Sequence, residues 1–307
     1  MDLNYFIFPK PEATYTHEKM FGRLIYIPHD YKQWGLTEPY VSSKLVKEIY
    51  SHEKQLKTHG HYAGKCIPCL YLPYPKPSSK ILLYFHGNAE DVSLTQDLVD
   101  ILQKKLKVHI IVMEYEGYGV YEGKSTAKGI IRDCQLLFYY VTSVMKYPSD
   151  DIIVFGRSIG SGPASYLASK HRVHSLILMS AFTSIRAVVK GFVGPLLQYA
   201  VADRFPNKTL MKNVRCPVFL MHGMKDDIVS CNQAKELYTV LEENKIDTTL
   251  HIPKDMDHNS FNFEDDFISP LLDFYNGRAF TTEPEDNCKG LIVLPIKAFN
   301  KPMGGIK

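Results

Sequence analysis

The sequence predicts an α/β protein with one mostly parallel central sheet and helices on both faces. Three observations lead there. From about residue 55, short apolar runs alternate with longer amphipathic stretches; the runs are KILLYFHG (80–87), VHIIVMEY (108–115), DIIVFG (151–156), VHSLILMSAF (173–182), CPVFLMHG (216–223) and TTLHIP (248–253). These runs are continuously apolar, as in parallel strands buried on both faces, rather than alternating as in strands with one face in water. The stretches between them are long enough for the helical crossovers that parallel strands require. A chain of 307 residues, 45% apolar and 22% charged, can also bury a sizeable core.

The elements follow in order. Residues 1–54 form an N-terminal segment expected to pack on the core, with a helical stretch at 41–52. EKQLKTHG and KCIPCLYLP are read as a hairpin turning across His59 to Gly64. After KILLYFHG a helical pattern continues through Leu106, and after VHIIVMEY the run GYGVYEG makes a turn. A long amphipathic helix is expected from about Ser125 to Tyr147, ended by Pro148, whose ring is incompatible with a continuing helix. IGSGPASYLASK and NQAKELYTVLEENK read as helices, as does the segment from about Asn259 to Tyr275. The α/β core is thus assigned to 55–275, with 183–213 a small cap breaking the strand–helix rhythm and 276–307 a C-terminal tail. No internal repeat is present.

Bulk properties exclude several classes. The formal net charge of +3 is too small and dispersed for nucleic-acid binding. Six scattered cysteines, mostly within apolar patterns, suggest free thiols in a reducing, cytoplasmic setting rather than a disulfide framework. Cys66 and Cys69 form a CxxC with no second pair at zinc-site spacing, so buried strand cysteines are expected and no metal site. The N-terminus shows no signal-peptide pattern. AVVKGFVGPLLQYAVA (187–202) is too short and too interrupted by Lys190, glycines and Pro195 to span a bilayer.

In a sheet of this kind chemistry sits at the carboxyl ends of strands. Ser158 stands in Gly-Arg-Ser-Ile-Gly, where a strand must become a helix within a residue or two. Small neighbours permit so tight a turn, and the turn exposes the hydroxyl as a nucleophile. His86-Gly87-Asn88-Ala89 follows an earlier strand, where backbone N–H groups can hold the oxyanion of acyl transfer. The expected donors are Ile159, directly after the nucleophile, and either Asn88 or Ala89. Asp226, three residues past Gly223 and ahead of the apolar pair Ile228-Val229, is preferred to its neighbour Asp227 as the acid orienting a histidine. Only His251 and His258 follow it. His251 falls inside a strand run and His258 in a loop, so His258 is the expected base. Serine, aspartate and histidine in that chain order distinguish this arrangement from the other serine-hydrolase folds.

The segments HGNAEDV, EYEGYGVYEGK, GRSIGSGPASYLA, SAFTSIR, DRFPN, CPVFLMHGMKDDIV and DHNSF, with FIFPKPEATYT near the start, resemble α/β-hydrolase domain-containing proteins of the protein-depalmitoylase branch. The likeness covers roughly residues 5 to 275. It implies the α/β-hydrolase fold, the triad Ser158, Asp226 and His258, and thioesterase or esterase activity on S-acylated proteins. The chain departs from that branch in three ways. Its first cysteine is Cys66, where animal members carry an N-terminal cluster that becomes palmitoylated; Glu114 replaces the usual Asp, and Tyr121 the usual Ser.

Within the cap, Arg186, Lys190, Arg204, Lys208 and Lys212 face Asp203 alone and no glutamate, the wrong sign for holding the ammonium of an aminopeptidase substrate. Its apolar residues, Phe192, Leu196, Leu197 and Tyr199 among them, are expected to receive an acyl chain, and the whole cap suits an anionic membrane surface. Two-step acyl transfer follows, with no metal or organic cofactor, an acylated protein or lipid as substrate, and a monomer as the working unit. A lipid or small-molecule carboxylesterase is the main alternative, ahead of an aminopeptidase and of a catalytically inactive binding module.

Overall fold

A computed structural model of the chain describes residues 7–20, 23–34, 65–197, 202–278, 280–283 and 298, with only the backbone described at 31 and 192–197. The expected helical stretch at 41–52, most of the C-terminal tail and the first strand of the expected hairpin lie outside the described residues.

Eight strands form one sheet: β1 (Leu24–Pro28), β2 (Cys66–Leu72), β3 (Ile81–Phe85), β4 (His109–Met113), β5 (Ile152–Arg157), β6 (Ser175–Met179), β7 (Val218–Met221) and β8 (Thr248–His251). Their spatial order is β1-β2-β4-β3-β5-β6-β7-β8. β2 runs antiparallel to both β1 and β4, and every other pairing is parallel. β2 is paired along both edges, with β4 on one side and with Leu24–Pro28 on the other, Ile25 opposite Cys69 and Ile27 opposite Ile67.

β3, at the centre, shows why these runs are strands. All five residues are buried. Ile81, Leu83 and Phe85 point into the core on one face, Leu82 and Tyr84 into that on the other. The alternation of a pleated strand thus feeds two apolar layers at once, which a polar alternate residue could not do. β2 is used the same way: Cys66 and Cys69 belong to opposite layers, so the CxxC thiols cannot pair. Burial pushes the Cys66 thiol up to about 11 and that of Cys69 well above its ordinary value.

The covering helices are α1 (Gln96–Leu106), α2 (Ala127–Ser143), α3 (Ser161–Lys170), α4 (Ile185–Leu197), α5 (Asn207–Met211), α6 (Asn232–Glu243) and α7 (Ser269–Asn276). Thr126 caps α2 by accepting from the Gly129 N–H at 3.0 Å. α2 ends before the expected Tyr147, because Lys146 takes a left-handed backbone with φ +62°. The last helix also starts later than expected. Asn262 caps a wide turn at Phe263–Ile268, and Pro270 sits in the first turn of α7, where its missing N–H is tolerated. α4 and α5 fill the insertion between β6 and β7. Among the described residues no helix is long and apolar enough to cross a membrane.

The topology positions the site. From β3 the chain crosses to β4 on one side, then returns to β5 on the other. Phe85 at the end of β3 is level with Gly156 in β5. The turns leaving these two strands diverge and open a crevice at the carboxyl edge, where ligands bind in open α/β sheets.

Candidate active site

The crevice is floored by the β5–α3 turn. Ser158 adopts φ +51°, a left-handed conformation that costs a non-glycine residue about 1–3 kcal/mol. The surrounding glycines explain how it persists. A Cβ on Gly160 would run into the backbone of Phe85 and His86, and one on Gly156 into the Gly160 carbonyl and Ala164. Strand and helix can approach this closely only without those side chains.

Ser158, Asp226 and His258 converge from three turns. His258 Nε2 lies 3.0 Å from Ser158 Oγ, and His258 Nδ1 lies 2.8 Å from Asp226 Oδ2. Because a carboxylate only accepts, Nδ1 carries the ring proton and Nε2 presents its lone pair to the serine hydroxyl. Each of the three residues is only 8–9% exposed. Asp227, the competing acid, is exposed, and His251 sits within β8, away from this group.

Asp226 is more fully held than the sequence suggests. Its Oδ1 accepts from the Ile228 and Val229 N–H groups at 3.0 and 2.7 Å. Its Oδ2 lies 3.2 Å from Nε2 of His222, a fully buried side chain whose Nε2–H also donates to the Val229 carbonyl at 2.6 Å. Burial alone would raise the Asp226 carboxyl; the hydrogen bonds from His222, His258 and Val229 outweigh it and hold the group well below the usual carboxylate range. It is a carboxylate throughout the physiological range. His222 belongs to the His-Gly ending of β7 and repeats the His86-Gly87 ending of β3, the one sequence signal that could have singled it out.

The β3 turn supplies the opposite wall. Asn88, Ala89 and Ile159 line the same cavity as Ser158 and His258. Ala89 has φ +59°, while the Asn88 side chain is engaged elsewhere, donating to the Ile7 carbonyl at 3.0 Å and accepting from Tyr118 Oη at 2.7 Å. The Gly87 N–H donates to Glu90 Oε2 at 2.9 Å and so is committed inside the turn. Below, His86 Nε2 lies 3.1 Å from Glu114 Oε1, and Glu114 Oε2 accepts from Tyr15 Oη at 2.9 Å and the Val92 N–H at 3.2 Å. Glu114 therefore fastens the turn to the N-terminal segment.

The cavity is about 480 Å³, within the range of small-molecule pockets. Its apolar walls come from Phe182, from Ile185, Val188 and Val189 on α4, and from Ile228 and Val229 beyond Asp226. Ile7 closes one side, a contribution from the N-terminus that no local pattern announces. Of the residues expected to bind substrate, the side chains of Phe192, Leu196 and Leu197 and all of Tyr199 lie outside the described residues. Among the described residues no group of three or more His, Cys, Asp or Glu side chains is placed to hold a metal.

Known proteins resemble the chain in both sequence and fold. The prolyl oligopeptidase family matches residues 176–279. The α/β-hydrolase domain-containing protein WAV2 of Arabidopsis thaliana is 30% identical over 181 residues, covering 54% of this chain and 59% of that protein. The α/β-hydrolase domain-containing protein aho-3 of Caenorhabditis elegans is 30% identical over 165 residues, covering 53% and 49%. The chain thus spans about half the length of these curated relatives. Among solved structures, an esterase of Pyrococcus furiosus aligns with a TM-score of 0.57 at 16% identity, covering 69% of this chain and 85% of that one. At that identity the likeness concerns the fold. With the strand order, the turn at Ser158 and these relatives together, the chain has the α/β-hydrolase fold and is similar in sequence to the α/β-hydrolase domain-containing proteins.

Proposed function

We propose that the chain is a serine hydrolase of acyl esters and thioesters, with S-acylated proteins carrying palmitoyl or similar long chains as its substrates. The observation that carries this reading is a hydroxyl, an imidazole and a carboxylate in hydrogen-bonded series, with the hydroxyl facing an apolar cavity. His258 Nε2 accepts the Ser158 proton as Oγ attacks the acyl carbonyl carbon, and the N–H groups of Ile159 and of Asn88 or Ala89 receive the developing oxyanion. The tetrahedral intermediate collapses, His258 passes its proton to the departing thiolate or alkoxide, and an acyl-Ser158 ester remains. A water then gives its proton to His258 as it attacks that ester, and release of the fatty acid returns the proton to Ser158. Asp226 keeps the imidazole oriented and stabilises it while charged.

The thioester specificity and the protein partner follow from the sequence resemblance and from the apolar cavity, which suits an acyl chain. The basic cap would favour an anionic membrane as the surface on which such substrates are met. The test is hydrolysis of matched thioesters and oxygen esters of two to sixteen carbons, followed by release of palmitate from an S-acylated peptide on anionic vesicles. Higher kcat/KM for long thioesters supports the full reading. A preference for short oxygen esters would replace it with a carboxylesterase.

A further inference from the structure

The residue between glycine and serine in the nucleophile turn is Arg157, a bulky charge where a small or neutral residue would satisfy the turn. It is only 9% exposed. Its Nη1 pairs with Glu90 Oε1. Its Nη2 donates to the His258 carbonyl and to Asn259 Oδ1, both at 3.1 Å. The other Glu90 oxygen accepts the Gly87 N–H at 2.9 Å. One guanidinium, anchored beside Ser158, thereby reaches both the turn that presents Asn88 and Ala89 and the loop that presents His258. Arg157 and Glu90 both line the catalytic cavity.

We propose that the Arg157–Glu90 pair is a clamp that holds the nucleophile turn, the oxyanion turn and the histidine loop in register, making Arg157 a positioning residue for acyl transfer. The proposal rests on the hydrolase reading above. Two physical arguments support it. A planar fork of five donors can serve three acceptors on two loops at once; a lysine ammonium, a point charge on a flexible stem, cannot. Moreover, the transition state places a negative charge beside the oxyanion turn, where the Glu90 carboxylate would oppose it unless a cation offsets that carboxylate. Removing Arg157 alone leaves Glu90 uncompensated in a largely buried place, whereas removing both partners does not.

The experiment measures kcat and KM on one acyl ester, and the rate of fluorophosphonate labelling, for wild type, Arg157→Gln, Arg157→Lys, Glu90→Gln, Asn259→Ala and the Arg157→Gln/Glu90→Gln pair. Arg157→Gln is expected to lose roughly tenfold or more in kcat with little change in KM. Arg157→Lys should recover only part of this, and Asn259→Ala should lose less in the same direction. The double variant should be faster than Arg157→Gln. The clamp is overturned if Arg157→Gln stays within about twofold of wild type, if the loss falls in KM alone, or if the two single losses multiply in the double. Should Arg157→Gln not fold, the Glu90→Gln and Asn259→Ala pair decides by the same criteria. Wild type that is itself unlabelled would overturn the hydrolase reading instead, so the two failures are distinguishable.

Discussion

Two buried groups in this protein contain the same three ingredients, a hydroxyl, a histidine and an aspartate. At the carboxyl edge, Ser158, His258 and Asp226 form a series in which the two ring nitrogens point to different partners. Near β1, Tyr121 Oη lies 2.9 Å from His29 Nε2 and donates to Asp133 Oδ2 at 3.1 Å, while Asp133 Oδ1 is 3.4 Å from that same nitrogen. There, the same nitrogen meets both the hydroxyl and the carboxylate, so these two do not lie on opposite sides of the ring as they do around His258. Tyr121 is also 1% exposed, and burial pushes its hydroxyl well above its ordinary value. The contrast teaches that residue types do not make a catalytic group. The proposed acyl transfer needs opposed ring nitrogens and a hydroxyl at a cavity, and the carboxyl-edge group has both.

The largest expected effects break one group and spare the other. Ser158→Ala or His258→Ala should lower kcat by several orders of magnitude, and Asp226→Asn by somewhat less, with the fold retained by circular dichroism. Tyr121→Phe should leave kcat unchanged and cost about 1 kcal/mol in a urea melt, the ordinary worth of a lost hydrogen bond. Next in size is Gly160→Ala, whose methyl meets the backbone of Phe85 and His86. It should cost about 1–3 kcal/mol and much of the activity, because β3 and α3 must separate and Ser158 moves with them.

A further expected effect is a pH dependence of stability set by buried histidines, one of them in the quiet group. Burial lowers His29 to about 4 against the opposing pull of Asp133, and burial lowers His109 to about 4 as well. Both stay neutral in the folded chain, whereas in the unfolded chain they titrate near 6.5. Between those values the unfolded state binds more protons, so stability falls as pH falls from about 6.5 to 4, by up to about 1.4 kcal/mol per pH unit for each histidine. Urea midpoints at pH 7, 6 and 5 measure the slope, and His29→Gln should remove the share that His29 contributes. Asp226, held ionised, adds little slope above about pH 5 and loses its contribution progressively below that.

Much of the active edge was legible because its signals are local. A strand, a glycine and a serine within a few residues specify the turn at Ser158, and the backbone N–H groups of Ile228 and Val229, which hold the Asp226 carboxylate, reflect the spacing that favoured Asp226 over Asp227. What escaped was non-local. Leu24–Pro28 pairs with a strand some forty residues on, and no periodicity within LIYIP names that partner. Ile7 reaches the cavity only because Tyr15 and Thr14 are tied to Glu114 and Asp91, contacts separated by 99 and 77 positions. Arg157 sat inside the quoted motif, yet its role depends on Glu90 and Asn259 from two other loops. Glu114 and Tyr121 were visible as departures from the family pattern, and only the structure shows the former beneath the turn after β3 and the latter beside His29 and Asp133.

The most direct test of the account is covalent labelling with a fluorophosphonate, with the site located by peptide mass spectrometry, on wild type, Ser158→Ala, His258→Ala and Tyr121→Phe. The account predicts adduct at Ser158 in wild type and at an equal rate in Tyr121→Phe, with none in the other two. Labelling that survives in Ser158→Ala, or a folded wild type that takes no label, would contradict it.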